Sequence, residues 1–572
     1  MLVPLFQWLR RSVDDGTALL YGEIFCLLAA ILIALLAPQL GQRRFERIER
    51  AAEGVDFRLA LWLAFLTPVV FRIASIPLYP PPQPKIHDEF SYLLMADTLR
   101  LGRIANPVHP MREHFETIHV IHDPTYASKY PLLQGFVLAL PQWFGLPAYV
   151  GVWVANGAMS AAIYWMLRSF LSPGWALLSV LVVFLRVGTF STWMHSYWGG
   201  AASAVGGALA VGGFMRLRQK AQTGNAIWMG LGMGMLANSR PYEGAVLSAV
   251  LAVSFLVWLV RDPTLSWNRK IRQLVLPLVA TLGLGLSVVA YHNYRVTGSM
   301  TKLPYMRNRE LYGTPQTFYF QPPVAAVPSK FKEINDNYHW QLAMHQRGQR
   351  WDTLWVATKE KFREFWPFFL GPIASLPFTV ALLLVRRAKL RLPWIAAGAV
   401  MFASALYPFF YPHYLGPIAG LLLLITVQGL LWIREWKPRS RPVGLALSRW
   451  LLVAFLGGFS FNLALDLSLR DAARQYRTPR TQVLEALEKL GGSHLVIVRY
   501  TPFHEFHWEI VYNAADIDAS PVVWARDMGP WKNQELINYY RGRRVWLFEP
   551  DLRPPRLKPY HSLPEQLLRQ AR

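Results

Sequence analysis

Long hydrophobic segments separated by short polar loops make up most of this chain. Four of these segments carry no charged residue over 19 to 21 positions, at 24–42, 365–385, 392–412 and 415–433. A helix of about 20 apolar residues crosses the roughly 30 Å hydrocarbon core of a bilayer. Because a helix satisfies its own backbone hydrogen bonds, it is the expected form of such segments in lipid. The pattern therefore predicts an α-helical polytopic membrane protein.

Segments with isolated polar residues extend this set to about 12 predicted transmembrane helices. The segment 226–239 is short for a span and abuts Pro241, which indicates a thin or partly re-entrant helix pair. The predicted spans are 18–38, 59–79, 148–168, 174–192, 199–215, 226–239, 241–260, 273–293, 365–385, 393–411, 414–433 and 448–467.

The last hundred residues follow a different pattern. Thr481–Leu490 and Trp531–Tyr540 have the periodicity of amphipathic helices. His494–Tyr500, Pro521–Ala525 and Arg543–Phe548 are short apolar segments typical of buried strands. This alternation predicts a small soluble α/β domain, and a lid, an acceptor-recognition module and a stabilising cap all stay open as its role.

The composition agrees with a membrane protein. The chain is 53% hydrophobic and 16% charged, whereas about a quarter of the residues in soluble domains are charged. Its one cysteine, Cys26, excludes a disulfide framework.

The net charge of +24 would suit a nucleic-acid partner if the basic residues formed one patch. They lie instead in short loops between spans, at 43–58, 216–220, 261–272 and 434–441. This is the positive-inside pattern of cytoplasmic loops, so no nucleic acid is expected as a partner.

With the basic loops inside, the chain divides into three regions. Residues 1–58 form an extra N-terminal helix and a basic cytoplasmic loop, and 59–467 form the transmembrane domain. The loops 80–132 and 295–364 and the α/β domain at 468–572 then lie outside the cytoplasmic (inner) membrane.

The tripeptide His87-Asp88-Glu89 stands at the head of the first outer loop. Carboxylates at a membrane boundary are costly to place, and they suit acid–base work on a hydroxyl. Adjacent like charges also raise one pKa, as a base working near neutral pH requires. The structural alternative is that both acids stabilise a solvated helix N-terminus.

The same loop closes with Ser128-Lys129-Tyr130-Pro131 and then re-enters apolar sequence. This order resembles the GT-C glycosyltransferases, and within them the protein O-mannosyltransferases and the lipid A aminoarabinose transferase. Ser128 stands where that pattern has an acid, and Tyr130 separates the lysine from Pro131. The structural alternative for Lys129 is a lysine reaching to the membrane interface.

The resemblance covers 59–467 and implies a GT-C-like fold. It implies a polyprenyl-phosphate sugar donor entering from the bilayer and a lipid, glycan or protein acceptor approaching from outside. Asp88 would be the base, Glu89 would position a substrate, and His87 and Tyr130 would line the same site. Lys129 and Arg240 would bind the leaving phosphate.

Two further elements resemble parts of these transferases. Arg240 precedes Pro241 between two short apolar segments, where Glu243 could pair with it. His413 and Tyr414 resemble an Arg/His-Tyr-x-x-Pro element that contacts phosphate or sugar. A structural turn with a local ion pair and an interfacial histidine are the respective alternatives.

Histidines are frequent in the first outer loop, and imidazoles beside carboxylates are ligands for zinc or manganese. No tight ligand spacing is present, so no metal ligand is assigned and a divalent cation stays open. A weaker cavity candidate is Leu303-Pro304-Tyr305, in the second outer loop. The loop histidines are His87, His109, His114, His119 and His122.

Two other classes compete with a transferase. A transporter or lipid flippase would show charged or broken helices at the midplane and two related halves, and no internal repeat is evident. A membrane scaffold with an outer sensing domain would not need Asp88, Lys129 and Arg240.

Overall fold

The chain is seen in a computed structural model, which describes residues 15–188, 191–313, 317–385, 388–473 and 478–561. Within these ranges seven helices are long and apolar enough to cross a membrane, or eight if one bent pair counts as a span. The prediction of a multi-pass helical membrane protein is therefore confirmed. The seven are Phe57–Ala74, Tyr149–Leu167, Gly200–Gln219, Pro241–Arg261, Trp267–Thr297, Pro412–Glu435 and Val443–Ala464.

The predicted number of 12 spans is not confirmed. Four predicted segments, 18–38, 174–192, 226–239 and 393–411, are not among the seven. The apolar stretches of the described helices there are Leu20–Leu36, Pro173–Gly188, Thr223–Ala237 and Leu390–Ala405. The helix at Thr223–Ala237, for example, has 15 residues, and at about 1.5 Å per residue it falls short of the hydrocarbon thickness.

The segment 365–385, predicted as one span, is broken. Trp351–Phe369 and Gly371–Leu382 meet at an angle of 100°. Gly371 has a φ of +56°, and a Cβ there would collide with the Arg186 guanidinium. Only glycine allows the chain to turn this way so close to a neighbour.

The helices are numbered in chain order. A π segment, Phe184–Gly188, extends α7, and another, Lys270–Val275, joins α12 to α13. The helices are α1 Asp15–Leu36, α2 Gln42–Glu53, α3 Phe57–Ala74, α4 His87–Arg100, α5 Leu132–Gln142, α6 Tyr149–Leu167, α7 Pro173–Val183, α8 Thr192–His195, α9 Gly200–Gln219, α10 Thr223–Ala237, α11 Pro241–Arg261, α12 Trp267–Arg269, α13 Leu276–Thr297, α14 Pro304–Tyr312, α15 Lys332–Gln346, α16 Trp351–Phe369, α17 Gly371–Leu382, α18 Ala388–Ala405, α19 Ala419–Glu435, α20 Val443–Ala473, α21 Pro479–Leu490 and α22 Pro530–Tyr539.

The membrane helices pack closely through small residues. A Cβ at Gly207 of α9 would overlap the backbone of Pro417. A Cβ at Gly213 of the same helix would approach the backbone of Met229 in α10 to 2.6 Å. Without water to drive association, close backbone contact of this kind is what holds helices together in lipid.

The C-terminal region forms the predicted α/β domain. Its sheet has four strands, β3 His494–Val498, β4 Val522–Arg526, β5 Arg544–Glu549 and β6 Arg556–Pro559. Their order is β4-β3-β5-β6, with β3 parallel to both neighbours and β6 antiparallel to β5. All five residues of β3 are buried, as expected of a central parallel strand. Of these four strands, only β6 was not predicted.

The first outer loop is an ordered platform for this domain. Its main elements are α4 and a two-residue hairpin, β1 Val120–Ile121 and β2 Ala127–Ser128. Phe90 of α4 stacks on Tyr512 at 4.5 Å between ring centroids. The Tyr512 hydroxyl donates to the Ile118 carbonyl at 3.2 Å.

A buried arginine strengthens this docking. Arg526 is 2% exposed, and its Nε donates to the Glu116 carbonyl at 2.6 Å. Its other nitrogens bond Glu333 of α15, at 2.9 Å, and Glu509. One guanidinium thus ties together the α/β domain and both outer loops.

Candidate active site

Asp88 lies in the first turn of α4 and is the centre of a side-chain hydrogen-bond network. It accepts a hydrogen bond from the Tyr130 hydroxyl. Nδ1 of His87 and Nδ1 of His119 each lie 3.4 Å from one of its oxygens. The Asp88 side chain is 27% exposed to solvent, so a substrate hydroxyl can reach it.

The two imidazoles change the ionisation of Asp88. Burial raises the pKa of the Asp88 carboxyl, but the charges and hydrogen bonds of His119 and His87 hold it well below its usual range. Asp88 is therefore ionised at neutral pH. This corrects the expectation that the carboxylate acting as base has a raised pKa.

Tyr130 connects this network to its surroundings. Its hydroxyl also lies 3.0 Å from Nδ1 of His119, and its ring stacks on Tyr92 at 4.4 Å. The Tyr305 ring meets it edge-on at 5.6 Å. Burial, then the charge of Asp88, raises the pKa of Tyr130 well above 10, so its hydroxyl stays a donor.

Glu89 is turned away from Asp88 and caps the helix. Its carboxylate accepts from the backbone N–H of Lys85 at 2.8 Å, of Ile86 at 3.4 Å and of Tyr197 at 3.2 Å. Burial raises the pKa of Glu89. The carboxylate thus fixes the start of α4 and joins it to the turn before α9.

Lys129 lies beside the same tyrosines. Its ammonium is 5.4 Å from the Tyr130 ring centre and 5.8 Å from that of Tyr305. In the described ranges this ammonium makes no hydrogen bond or ion pair, whereas the backbone N–H of Lys129 donates to the His119 carbonyl at 3.3 Å. Burial lowers the pKa of Lys129 to about 7, although Asp88 raises it.

Arg240 is the second cation of the site. Its guanidinium lies 4.5 Å from the Tyr414 ring centre, and it is close enough to Tyr92 and Tyr305 to interact electrostatically. Across the part of the chain that the structure describes, the guanidinium has no hydrogen-bond or ion-pair partner. Glu243, one turn along α11, is buried but does not approach Arg240 within 4 Å, so the predicted ion pair is absent from the described structure.

His413 and Tyr414 lie in a 3₁₀ turn, Pro412–Ile418, that leads into α19. The His413 ring lies between Trp198, at 4.7 Å, and Tyr411, at 5.6 Å. Its Nδ1 is buried without a hydrogen-bond partner in the described structure. Both Arg240 and Asp88 act electrostatically on His413, so this turn lies close to both of them.

The predicted residues therefore meet in one region. Asp88 is joined through Tyr130 to Lys129 and Tyr305, and through the tyrosines to Arg240. Glu89 is directed instead at backbone N–H groups. Glu243 lies near enough to Arg240 to interact electrostatically but makes no ion pair with it in the described structure. Tyr92 was missed, although it lies four residues after Asp88 on the same helical face. His507, from the α/β domain, was missed without any local signal.

One set of metal-ligand atoms converges in the site. Within the described structure, His87, Asp88 and His119 form the one group of three such residues whose ligand atoms lie within 4.8 Å of one another. Two imidazoles and a carboxylate suit zinc or manganese. The other loop histidines lie elsewhere: His109 pairs with Asp518 at 3.0 Å and His114 bonds the Arg526 carbonyl at 3.2 Å.

Comparisons by sequence and by structure give different results. No protein-family model and no curated protein matches the sequence. The structure is similar to ArnT from Cupriavidus metallidurans bound to undecaprenyl phosphate, with a TM-score of 0.46, 12% identity and coverage of 89% of this chain and 94% of that chain. It is also similar to the archaeal oligosaccharyltransferase AglB from Archaeoglobus fulgidus, in complex with an inhibitory peptide and a dolichol-phosphate. The TM-score is 0.39 and the identity 12%, with coverage of 85% of this chain and 69% of that chain.

A third similar structure is the arabinofuranosyltransferase AftD from Mycobacteria, with a TM-score of 0.37, 14% identity and coverage of 86% of this chain and 35% of that chain. These neighbours are GT-C superfamily glycosyltransferases, the group that the sequence motifs resemble. All three TM-scores lie below 0.5.

Proposed function

We propose that this chain is a membrane glycosyltransferase that moves a sugar from a polyprenyl-phosphate donor to an acceptor at the outer face of the membrane. One observation carries the proposal. An ionised carboxylate shares a tyrosine-lined region with a lysine and an arginine that have no anionic partner in contact among the described residues. A base beside two cations that no carboxylate of the described chain contacts is what transfer from a phosphate ester requires.

The cations define the donor side. A guanidinium and an ammonium can each donate charge-assisted hydrogen bonds to phosphate oxygens. Arg240 precedes a membrane helix, and His413 and Tyr414 begin another. A phosphate bound between these residues would leave an attached polyprenyl chain close to the bilayer.

Asp88 defines the acceptor side. The acceptor hydroxyl, or a similar nucleophile, attacks the anomeric carbon while the bond from that carbon to the phosphate oxygen breaks. Asp88 accepts the proton of the nucleophile, and the lipid phosphate leaves with the bonding electrons toward Lys129 and Arg240. A single displacement of this kind inverts the anomeric centre, as the resemblance to GT-C enzymes implies.

The low pKa of Asp88 determines when the proton moves. A weak base takes the proton late, after positive character has developed on the attacking oxygen. Tyr130, His119 and His87 hold the carboxylate in place, so it is oriented before the substrate arrives. Glu89 contributes by fixing the helix turn that carries Asp88.

We also propose that His87, Asp88 and His119, whose ligand atoms converge, can bind a divalent cation. When bound there, a cation would supply positive charge beside the acceptor. Elemental analysis of the purified protein, together with transfer before and after chelation, decides the point. One equivalent of metal and loss of transfer on chelation would support a metal centre, and metal-free active protein would exclude it.

Transfer itself is tested in membranes containing the full chain. Sugar movement from a labelled polyprenyl-phosphate donor to endogenous acceptors is measured for the wild type and for Asp88→Asn. Glu113→Gln, an exposed acid of the same loop, serves as the control. We expect transfer to be lost only in Asp88→Asn. Undiminished transfer in Asp88→Asn would remove Asp88 as the base, and donor movement across the membrane without transfer would indicate a transporter.

A further inference from the structure

The α/β domain contributes one side chain to the Asp88 network. His507 lies in a 3₁₀ turn, Phe506–Trp508, which the sequence places far from the first outer loop. Its Nδ1 is 3.1 Å from Nε2 of His87. His87 in turn contacts Asp88 and His119 through its other nitrogen, Nδ1. A line of hydrogen bonds therefore runs from the partly exposed His507 to the acid site.

The position of His507 is fixed by three parts of the chain. Its ring packs on Phe506 at 4.0 Å and edge-on against Trp340 of α15 at 4.9 Å. Its backbone N–H donates to the Glu505 carboxylate at 3.3 Å. Because the Arg526 network and the Phe90–Tyr512 stack hold the domain in place, His507 is presented to His87 by the fold itself.

The chemistry of imidazole gives this contact a consequence. A neutral imidazole has one N–H donor and one acceptor nitrogen, so the bond at one nitrogen decides what the other can do. If His507 donates to Nε2 of His87, Nδ1 of His87 carries the proton and donates toward Asp88. If His507 accepts, Nδ1 of His87 becomes an acceptor and the donor to Asp88 must be His119 or Tyr130.

We infer that His507 is a positioning residue of the transfer reaction, which holds His87 in the tautomer and orientation that support Asp88. The inference rests on the proposed function, because it assigns His507 a role through Asp88. It also gives the α/β domain a role in the reaction: the acid site is complete only with that domain docked. The outer partners of a metal-ligating histidine are typically worth about 10–100-fold in metal affinity or activity. We expect an effect of that size for His507, which orients His87 in the same way.

The test uses the full-length protein and separates positioning from folding. His507→Ala removes the hydrogen bond, whereas His507→Asn keeps an amide group near the place of Nδ1. His561→Ala, an exposed histidine of the same domain, is the matched control. For each variant kcat, KM for the polyprenyl-phosphate donor and the melting temperature are measured.

We expect His507→Ala to lower kcat by about 10–100-fold with the donor KM unchanged, because Lys129 and Arg240 are untouched. His507→Asn should restore most of kcat, and His561→Ala should match the wild type. Wild-type kcat in His507→Ala, or equal losses in the alanine and asparagine variants, would overturn the inference. If the alanine variant does not fold, His507→Asn decides alone, and a kcat as low as that of Asp88→Asn would count against positioning.

Failure of this inference and failure of the proposed function give different results. If Asp88→Asn keeps full transfer, the proposed function is wrong regardless of His507. If Asp88→Asn loses transfer while His507→Ala keeps it, the proposed function stands and only the role of His507 is rejected.

Discussion

The acid half of the site (Asp88 with His87, His119 and Tyr130) and its cation half (Lys129 and Arg240) are built in opposite ways. Around Asp88, every neighbouring polar side chain is engaged, since His87, His119 and Tyr130 all bond within the group. Around Lys129 and Arg240 the neighbours are mainly tyrosine rings, and neither cation has a hydrogen-bond partner within the described structure.

This difference indicates what each half does before substrate arrives. The acid half already has its working geometry, which reduces the reorganisation needed during reaction. The cation half holds positive charge in a partly buried place with no carboxylate in contact among the described residues, although Asp88 acts on Lys129 and Glu243 on Arg240 from a distance. An anionic ligand would compensate this charge more fully. The structure thus separates a preorganised base from a site that is completed by phosphate.

The largest expected effect comes from breaking the acid half. Asp88→Asn should lower kcat by about 10²–10⁴-fold, the usual contribution of a general base. The donor KM should change little, because the phosphate contacts lie in the other half. Steady-state kinetics with detergent-solubilised protein would measure both, and a rise in KM with kcat preserved would contradict the division between the halves.

Removing the Arg240 guanidinium should mainly weaken donor binding, the reverse of what we expect for Asp88→Asn. A hydrogen bond to a charged group is worth about 1.5–3 kcal/mol, so Arg240→Ala should weaken donor binding about 10–100-fold. Arg240→Lys, which keeps the charge but loses the planar fork, should recover part of it. Binding of undecaprenyl phosphate, measured by calorimetry, checks this, and equal affinity in the alanine variant would mean that phosphate binds elsewhere.

A smaller effect should follow from the pKa of Lys129, which is about 7. The ammonium form dominates below this pH and is lost above it, so kcat/KM for the donor should fall as the pH rises from 6 to 8. Asp88 has a pKa well below this range and does not titrate there. Lys129→Arg keeps its charge and should flatten the profile, and a wild-type profile that rises with pH would refute the role of Lys129.

The smallest effect on catalysis should come from Glu89. Because its carboxylate caps α4, Glu89→Ala should destabilise the protein by about 0.5–2 kcal/mol, as the loss of a helix cap does. Transfer at low temperature should stay near that of the wild type. Thermal unfolding followed together with activity tests this, and a stable but inactive variant would give Glu89 a direct part in the reaction.

The elements visible in the sequence are those set by local pattern. Apolar segments predicted that the chain crosses the membrane several times, but not the number of spans. Short apolar segments after residue 490 predicted three of the four strands of the sheet. The strand β6 was missed because its four residues, Arg556–Pro559, include two basic side chains and form no short apolar segment.

The site was only partly predictable. A motif at a helix start and the resemblance singled out Asp88. The sequence did not show that Glu89 turns toward the backbone N–H groups of Lys85, Ile86 and Tyr197. His507 bonds a residue 420 positions away, and no local pattern encodes such a contact. The turn at Gly371 uses a positive φ, and Arg186, from a distant part of the chain, lies against it.

The buried Arg526 network has a consequence for how substrates enter. Breaking a buried ion pair by removing one partner costs about 3–5 kcal/mol. Lifting the α/β domain would part Arg526 from Glu333 and from the Glu116 carbonyl, so we expect the domain to stay docked while substrates come and go.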